Sequence, residues 1–243
     1  MSQGGPLLVI MAMAAEAAPV RSALGLVDSS EKIHPDFPSV IWESSRVCLA
    51  LNGQDKRHGV DSIASQPAAV TALLAIERVR PSLVISAGTA GGFAKRSGYL
   101  GEVCLATRCF FHDRRIPLEE FEAYGNGNYP VADLDTIGSS LGFHLGAVSS
   151  GNSLDAPDVD LKRMDSYETV AKDMEAASVA WICEQLNVPF TALKVITDLV
   201  DSEDSTAEQF VANFETATKR LGEALKDFVN AITTQGENYE TRP

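Results

Sequence analysis

Apolar positions fall in short unbroken runs separated by polar stretches that contain glycine. Residues 7–13 are apolar throughout, as expected of a strand buried on both faces. Runs at 82–87, 102–108, 144–149 and 190–197 read as further strands, and 170–173 as a short apolar segment. Residues 40–42 and 46–51 predict a hairpin turning at 43–45, followed by a polar loop over 52–62. Helices are predicted at 17–24, with Pro19 in the first turn, and at 65–79, with Pro67 near the start. A third helix, 174–186, is apolar almost all round and so belongs in the middle of the fold. Phe210, Phe214, Leu221, Leu225, Phe228 and Ile232 share one stripe, which predicts an amphipathic C-terminal helix. Residues 110–130 read as irregular and 235–243 as a fraying tail. Strands alternate with helices, so the class is α/β with a largely parallel or mixed sheet. No linker, repeat or low-complexity tract divides residues 1–243, which predicts one domain.

Composition narrows function more than fold. Hydrophobic residues at 45% and charged residues at 22% are ordinary for a globular chain. The net charge of −13, with no cluster of Lys and Arg, disfavours nucleic acid and anionic membranes as partners. No run reaches the ~20 apolar residues of a bilayer span. The apolar N-terminus lacks a basic flank and is interrupted by Glu16, so it reads as a strand rather than a leader. Cys48, Cys104, Cys109 and Cys183 form no C-x-x-C pair and fit small buried hydrophobes in a reducing, cytoplasmic compartment. The four histidines (His34, His58, His112, His144) show no metal-ligand spacing.

Ligands of open α/β sheets bind where the carboxyl ends of strands gather their loops. Four places qualify. Met13 and Glu16 follow the first strand; Glu16 could equally be a first-turn carboxylate favoured by the helix dipole. Gly88–Gly92 is a glycine loop without the G-x-G-x-x-G or P-loop pattern, and could be no more than a tight turn. Glu175, beside Met174, opens an otherwise apolar helix, where a carboxylate is costly unless it accepts hydrogen bonds; helix-end stabilisation is the alternative. Asp198 ends a strand and could simply cap a turn. Three carboxylates near strand ends, with a glycine loop and no Ser/His/Asp order, suit acid–base chemistry on an uncharged organic substrate.

The motifs A-M-x-x-E (12–16), A-G-T-A-G-G-F (87–93), F-H-D-R-R-I-P (111–117), S-G-N-S-L-D (150–155), K-D-M-E-A-A (172–177) and K-V-I-T-D-L-V-D (194–201) carry a resemblance. The chain resembles the 5′-methylthioadenosine/S-adenosylhomocysteine nucleosidases, nearer their plant-type branch, within the purine nucleoside phosphorylase-like superfamily. The resemblance implies a three-layer αβα fold around a mixed, twisted sheet. It implies hydrolysis of an adenine nucleoside in methionine salvage, a homodimer, and no cofactor or metal. Asp198 would protonate N7 of adenine and Glu16 would activate water. Glu175 would bind the ribose hydroxyls, Met174 and Met13 would pack on the sugar, and the Leu154 backbone would read the adenine edge. Thr89 would lie near the water, as would Lys194, where bacterial relatives carry arginine, and Phe210 would wall the 5′-alkylthio pocket. Asn152 stands where the family usually has aspartate, predicting a slightly looser loop, and Ala176 replaces a glycine at a tight helix start. Phosphorolysis, or nucleoside binding without catalysis, remain alternatives.

That chemistry sets an electrostatic expectation. An acid that gives a proton to adenine near neutral pH needs a raised pKa, which burial supplies, whereas the carboxylate that polarises water must stay ionised. Asp198 and Glu16 should therefore differ.

Overall fold

The computed structural model describes residues 4–202 and 205–235. Among these the elements run β1 (Leu7–Met11), α1 (Ala14–Leu24), β2 (Glu31–Lys32), β3 (Val40–Trp42), β4 (Val47–Leu51), α2 (Ser65–Val79), β5 (Leu83–Gly92) and β6 (Val103–Phe111). There follow α3 (Glu119–Asn126), α4 (Asp135–Ser140), β7 (His144–Ser150), α5 (Asp158–Ser166), β8 (Thr169–Asp173), α6 (Ala176–Leu186), β9 (Phe190–Leu199) and α7 (Thr206–Gln235).

The strands form one mixed sheet in the order β2-β3-β4-β1-β5-β8-β7-β6-β9, and β5 also pairs with β9. The sheet therefore closes on itself: β5, β8, β7, β6 and β9 make a ring, from which β1, β4, β3 and β2 extend. The length of β5 permits this. Its first residues pair in parallel with β1, almost its whole length pairs in parallel with β9, and Gly91 and Gly92 pair antiparallel with Lys172 and Ala171 of β8.

Helices cover both faces. Ala17 and Val20 of α1 and Leu221, Leu225 and Phe228 of α7 pack on Val9, Leu49, Ile85 and Leu193. On the other face Ala68, Ala72 and Ala75 of α2 and Ala177 and Ala180 of α6 pack on Leu8, Ile10, Val84 and Ala192. Successive residues of β1 thus divide between two cores, as the two-residue period of a strand requires. This is the expected αβα arrangement with a mixed central sheet.

Several local expectations are corrected. The glycine run is not a loop but the last part of β5, hydrogen-bonded to β9 and β8. Helix α1 begins at Ala14, not 17, because the Asp61 carboxylate accepts the Ala14 N–H (2.9 Å) and Met13 O accepts the Ala17 N–H (3.0 Å). Pro19 then lies inside the helix rather than in its first turn. The stretch taken as irregular contains the end of β6 and all of α3, and α4 and α5 were not foreseen. Residues 236–243, read as a fraying tail, lie outside the described residues. No helix among the described residues is long and apolar enough to cross a membrane.

Candidate active site

A cavity of about 250 Å³ lies where β1, β5, β8 and β9 end. Met13, Glu16, Thr89, Leu154, Met174, Glu175, Asp198 and Phe210 all line it, with Ile10, Met11, Ile63, Ala68 and Val200 making much of the rest apolar.

Glu16 and Asp198 sit against the same strand. Cβ atoms built on Gly88 and Gly91 would lie 3.4 Å from Glu16 Oε2 and 2.8 Å from Asp198 Oδ2. The glycines of β5 thus make room for two carboxylates. Glu16 is buried, and its Oε1 accepts the Thr89 N–H (2.9 Å) and the Thr89 hydroxyl (2.5 Å). Burial pushes its carboxyl above the ordinary range, against those two donors and the charge of Lys194. Asp198 is buried too; its Oδ1 accepts the Thr197 hydroxyl (2.8 Å), and burial raises its carboxyl against that bond and the charge of Lys172. Desolvation acts on both, so the difference expected between them is not one of direction. They differ in their surroundings: Glu16 holds two hydrogen bonds from Thr89 in a fully enclosed seat, Asp198 one from its neighbour.

Glu175 is the residue before α6, but its side chain does not cap that helix. Asp173 does so: its Oδ2 accepts the Ala176 N–H (2.9 Å), while the Ser150 hydroxyl accepts the Ala177 N–H (2.8 Å). Glu175 Oε1 instead accepts the Ala64 N–H (2.8 Å) across the cavity mouth. Burial, and then the charge of Asp173, push its carboxyl up to about 7. Ala64 is held at φ +74°, ψ −172°, a conformation that favours glycine.

Lys194 departs from expectation, since it does not line the cavity. Its ammonium is 1% exposed, 2.8 Å from Asp173 Oδ2 and 3.2 Å from the Ser86 hydroxyl. Asp173 also accepts the Ser150 hydroxyl (2.5 Å). Burial alone would neutralise both partners, but each stabilises the other: Asp173 is held below the ordinary carboxylate range and Lys194 above the usual lysine range. Asp173 and Lys172 carried no assigned role, although both stand in the K-D-M-E motif. The Lys172 ammonium lines the cavity and donates to the Ser153 and Leu154 carbonyls (2.8 and 2.9 Å), fixing the segment that carries Leu154. Asn152 ties that loop down rather than loosening it. Its Oδ1 accepts the Ser65 N–H (3.2 Å), and its backbone N–H and amide donate to Asp113 Oδ2 (2.7 and 3.3 Å), a contact an aspartate would turn into repulsion. Ala176 is fully buried in the core.

An apolar cavity with two carboxyls seated against one strand and a third in its lining defines a class: α/β enzymes that cleave a bond of a small uncharged molecule by moving protons. The chain matches the family described as the phosphorylase superfamily over residues 6–230. It is 34% identical to 5′-methylthioadenosine nucleosidase of Arabidopsis thaliana, over 93% of this chain and 86% of that protein. It is 31% identical to 5′-methylthioadenosine/S-adenosylhomocysteine nucleosidase of the same plant, over 93% of this chain and 91% of that protein. The solved structure of the Arabidopsis thaliana 5′-methylthioadenosine nucleosidase in apo form superposes with a TM-score of 0.92 at 31% identity, covering 96% of this chain and 98% of that one. The chain belongs to the phosphorylase superfamily and, within it, to the nucleosidases of 5′-methylthioadenosine and S-adenosylhomocysteine.

Proposed function

We propose that this chain hydrolyses the N-glycosidic bond of 5′-methylthioadenosine, releasing adenine and 5-methylthioribose. Adenine leaves poorly as an anion. The Asp198 carboxyl donates its proton to N7, so that the base departs neutral as the C1′–N9 bond breaks and positive charge develops on the ribose. Water adds to C1′ from the side of Glu16, which accepts the proton of that water and whose negative charge favours the developing cation. Glu175 accepts the vicinal ribose hydroxyls, and Met13, Met174 and Phe210 supply apolar contact for sugar and thioether. Ile63 and Phe210 of the same cavity give the sulfur an apolar setting, which suits a methylthio group; the amino acid tail of S-adenosylhomocysteine would need a way out past them.

The observation that carries this reading is the seating of Glu16 and Asp198 on one cavity, against Gly88 and Gly91 of a single strand. Those glycines lie three residues apart, roughly 10 Å along a regular strand and less across the register shift between Ala90 and Gly91. Glu16 also supports hydrolysis over phosphorolysis, since its charge repels phosphate. Asp198→Asn tests the assignment: turnover falls by about 10²–10⁴-fold with the circular dichroism spectrum unchanged. Near wild-type turnover in that variant removes the assignment.

A homodimer is part of the proposal. Leu118, Phe121 and Tyr124 in and before α3, Leu73 of α2 and Trp181 of α6 are exposed apolar side chains, and α2, α3 and α6 meet around one depression. Light scattering at twice the chain mass supports it, and a monomer at micromolar concentration removes it. Four buried, unpaired cysteines support a reducing, cytoplasmic setting.

A further inference from the structure

We propose that Glu102, Cys104 and His144 form a zinc site where the first residues of β6 and β7 pair, apart from the nucleoside cavity. None of the three lines that cavity. The backbone dictates their meeting. Cys104 pairs with His144 in the parallel ladder, which sets both side chains on one face. Glu102 precedes Cys104 by two residues and continues the pairing with β9 through its carbonyl, which accepts the Ile196 N–H (2.9 Å), so its side chain points the same way. His144 Nδ1 lies 3.1 Å from Glu102 Oε1 and Cys104 Sγ 4.0 Å from Glu102 Oε2, with all ligand atoms within 4.8 Å of one another.

Tetrahedral zinc with bonds of about 2.0–2.3 Å needs ligand atoms roughly 3.5 Å apart. The imidazole–carboxylate edge is already there, and small side-chain rotations close the others. One thiolate, one imidazole and one carboxylate is a zinc set, whereas magnesium and calcium take oxygen ligands. The charges balance: zinc displaces the thiol proton to solvent, and thiolate plus carboxylate neutralise the dication in a buried place. The His144 side chain is 27% exposed, which leaves the fourth position open to water. Forty residues separate Cys104 from His144 in the chain, so only the β6–β7 register reveals the group.

Chelator-treated protein titrated with Co²⁺ is expected to bind one equivalent and to show a thiolate-to-cobalt charge-transfer band that Zn²⁺ abolishes. Zinc binding should release protons and raise the melting temperature. Cys104→Ser should lose the band and the melting shift, while Cys183→Ser, at another buried cysteine, should keep both. Glu102→Gln and His144→Gln, which keep the thiol, should each bind at least about tenfold more weakly, a loss seen even for outer-shell partners of metals. These two decide the matter if Cys104→Ser does not fold. No band in the wild-type protein, a band that survives Cys104→Ser, or unchanged affinity in both glutamine variants overturns the site.

Discussion

A single methyl group at position 91 tests how the acid is held. Gly91 has ordinary backbone angles, so alanine there costs no left-handed strain and its effect is steric. The new Cβ would meet Val200 Cγ2 at 2.5 Å and Asp198 Oδ2 at 2.8 Å. Ordinary contact at about 3.4 Å requires Val200 to withdraw by about 0.9 Å and the carboxylate by about 0.6 Å. Overpacking of this kind costs about 1–3 kcal/mol of stability. Displacement of a reacting group by up to an ångström costs up to ~10²-fold in rate. Gly91→Ala is therefore expected to fold, to melt several degrees lower, and to lose about one to two orders of magnitude in kcat. Adenine release and thermal melts read the two effects separately. Gly125→Ala is the control, since its Cβ meets nothing closer than 3.5 Å. Gly91→Ala,Val200→Ala should recover stability before activity, because only the aliphatic clash is removed. Undiminished kcat in folded Gly91→Ala refutes the idea that the glycine gives the acid its place.

Further outcomes are expected. Asp173→Asn or Lys194→Met leaves one buried charge without its partner and should cost about 3–5 kcal/mol in denaturant unfolding; Lys194→Met should also shift the pH profile to higher pH, since Lys194 lowers the pKa of Glu16 and Glu175, and an unmoved profile counts against this. Glu175, raised to about 7, must be ionised to accept ribose hydroxyls, so a non-hydrolysable nucleoside analogue should bind about tenfold more weakly per pH unit below about 7, and flat affinity from acid to neutral pH contradicts the role. The same rise means Glu175 stabilises the fold most at low pH and loses that contribution as pH climbs from 4.5 towards 7. Ala64→Gly relieves a conformation costing about 1–3 kcal/mol against roughly 0.5–1 kcal/mol of added chain freedom, so melting should rise by a few degrees; a fall refutes the strain.

Helix 65–79 was legible to the residue because its apolar period, Pro67 and the break before Pro81 all agree. The α/β class followed from alternation, and the three-layer αβα arrangement from the family resemblance. The glycine run was misread because glycine has poor strand propensity, and what keeps 88–92 extended is pairing with β9 and β8, a tertiary effect. Helices α4 and α5 were missed since six and nine residues offer too few apolar positions to show a period. The cavity-lining carboxylates stood out as costly charges after apolar strands. The Asp173–Lys194 pair did not, because nothing local tells which of two acids two residues apart, Asp173 or Glu175, turns inward and which reaches the ligand space.

Strand β5 is braced by β1, β9 and β8 at once, and both carboxyls proposed to react lean on it. The seats of the proposed acid and base thus belong to a strand paired along almost its whole length, while the rim (the segment carrying Ile63 and Ala64, the turn bearing Val200, the first turn of α7 with Phe210) is hung from its edges. Side chains of the rim can change while the strand pairing of β5 stays as it is. A lineage built this way is free to drift in the tails its substrates carry while the bond it breaks stays the same.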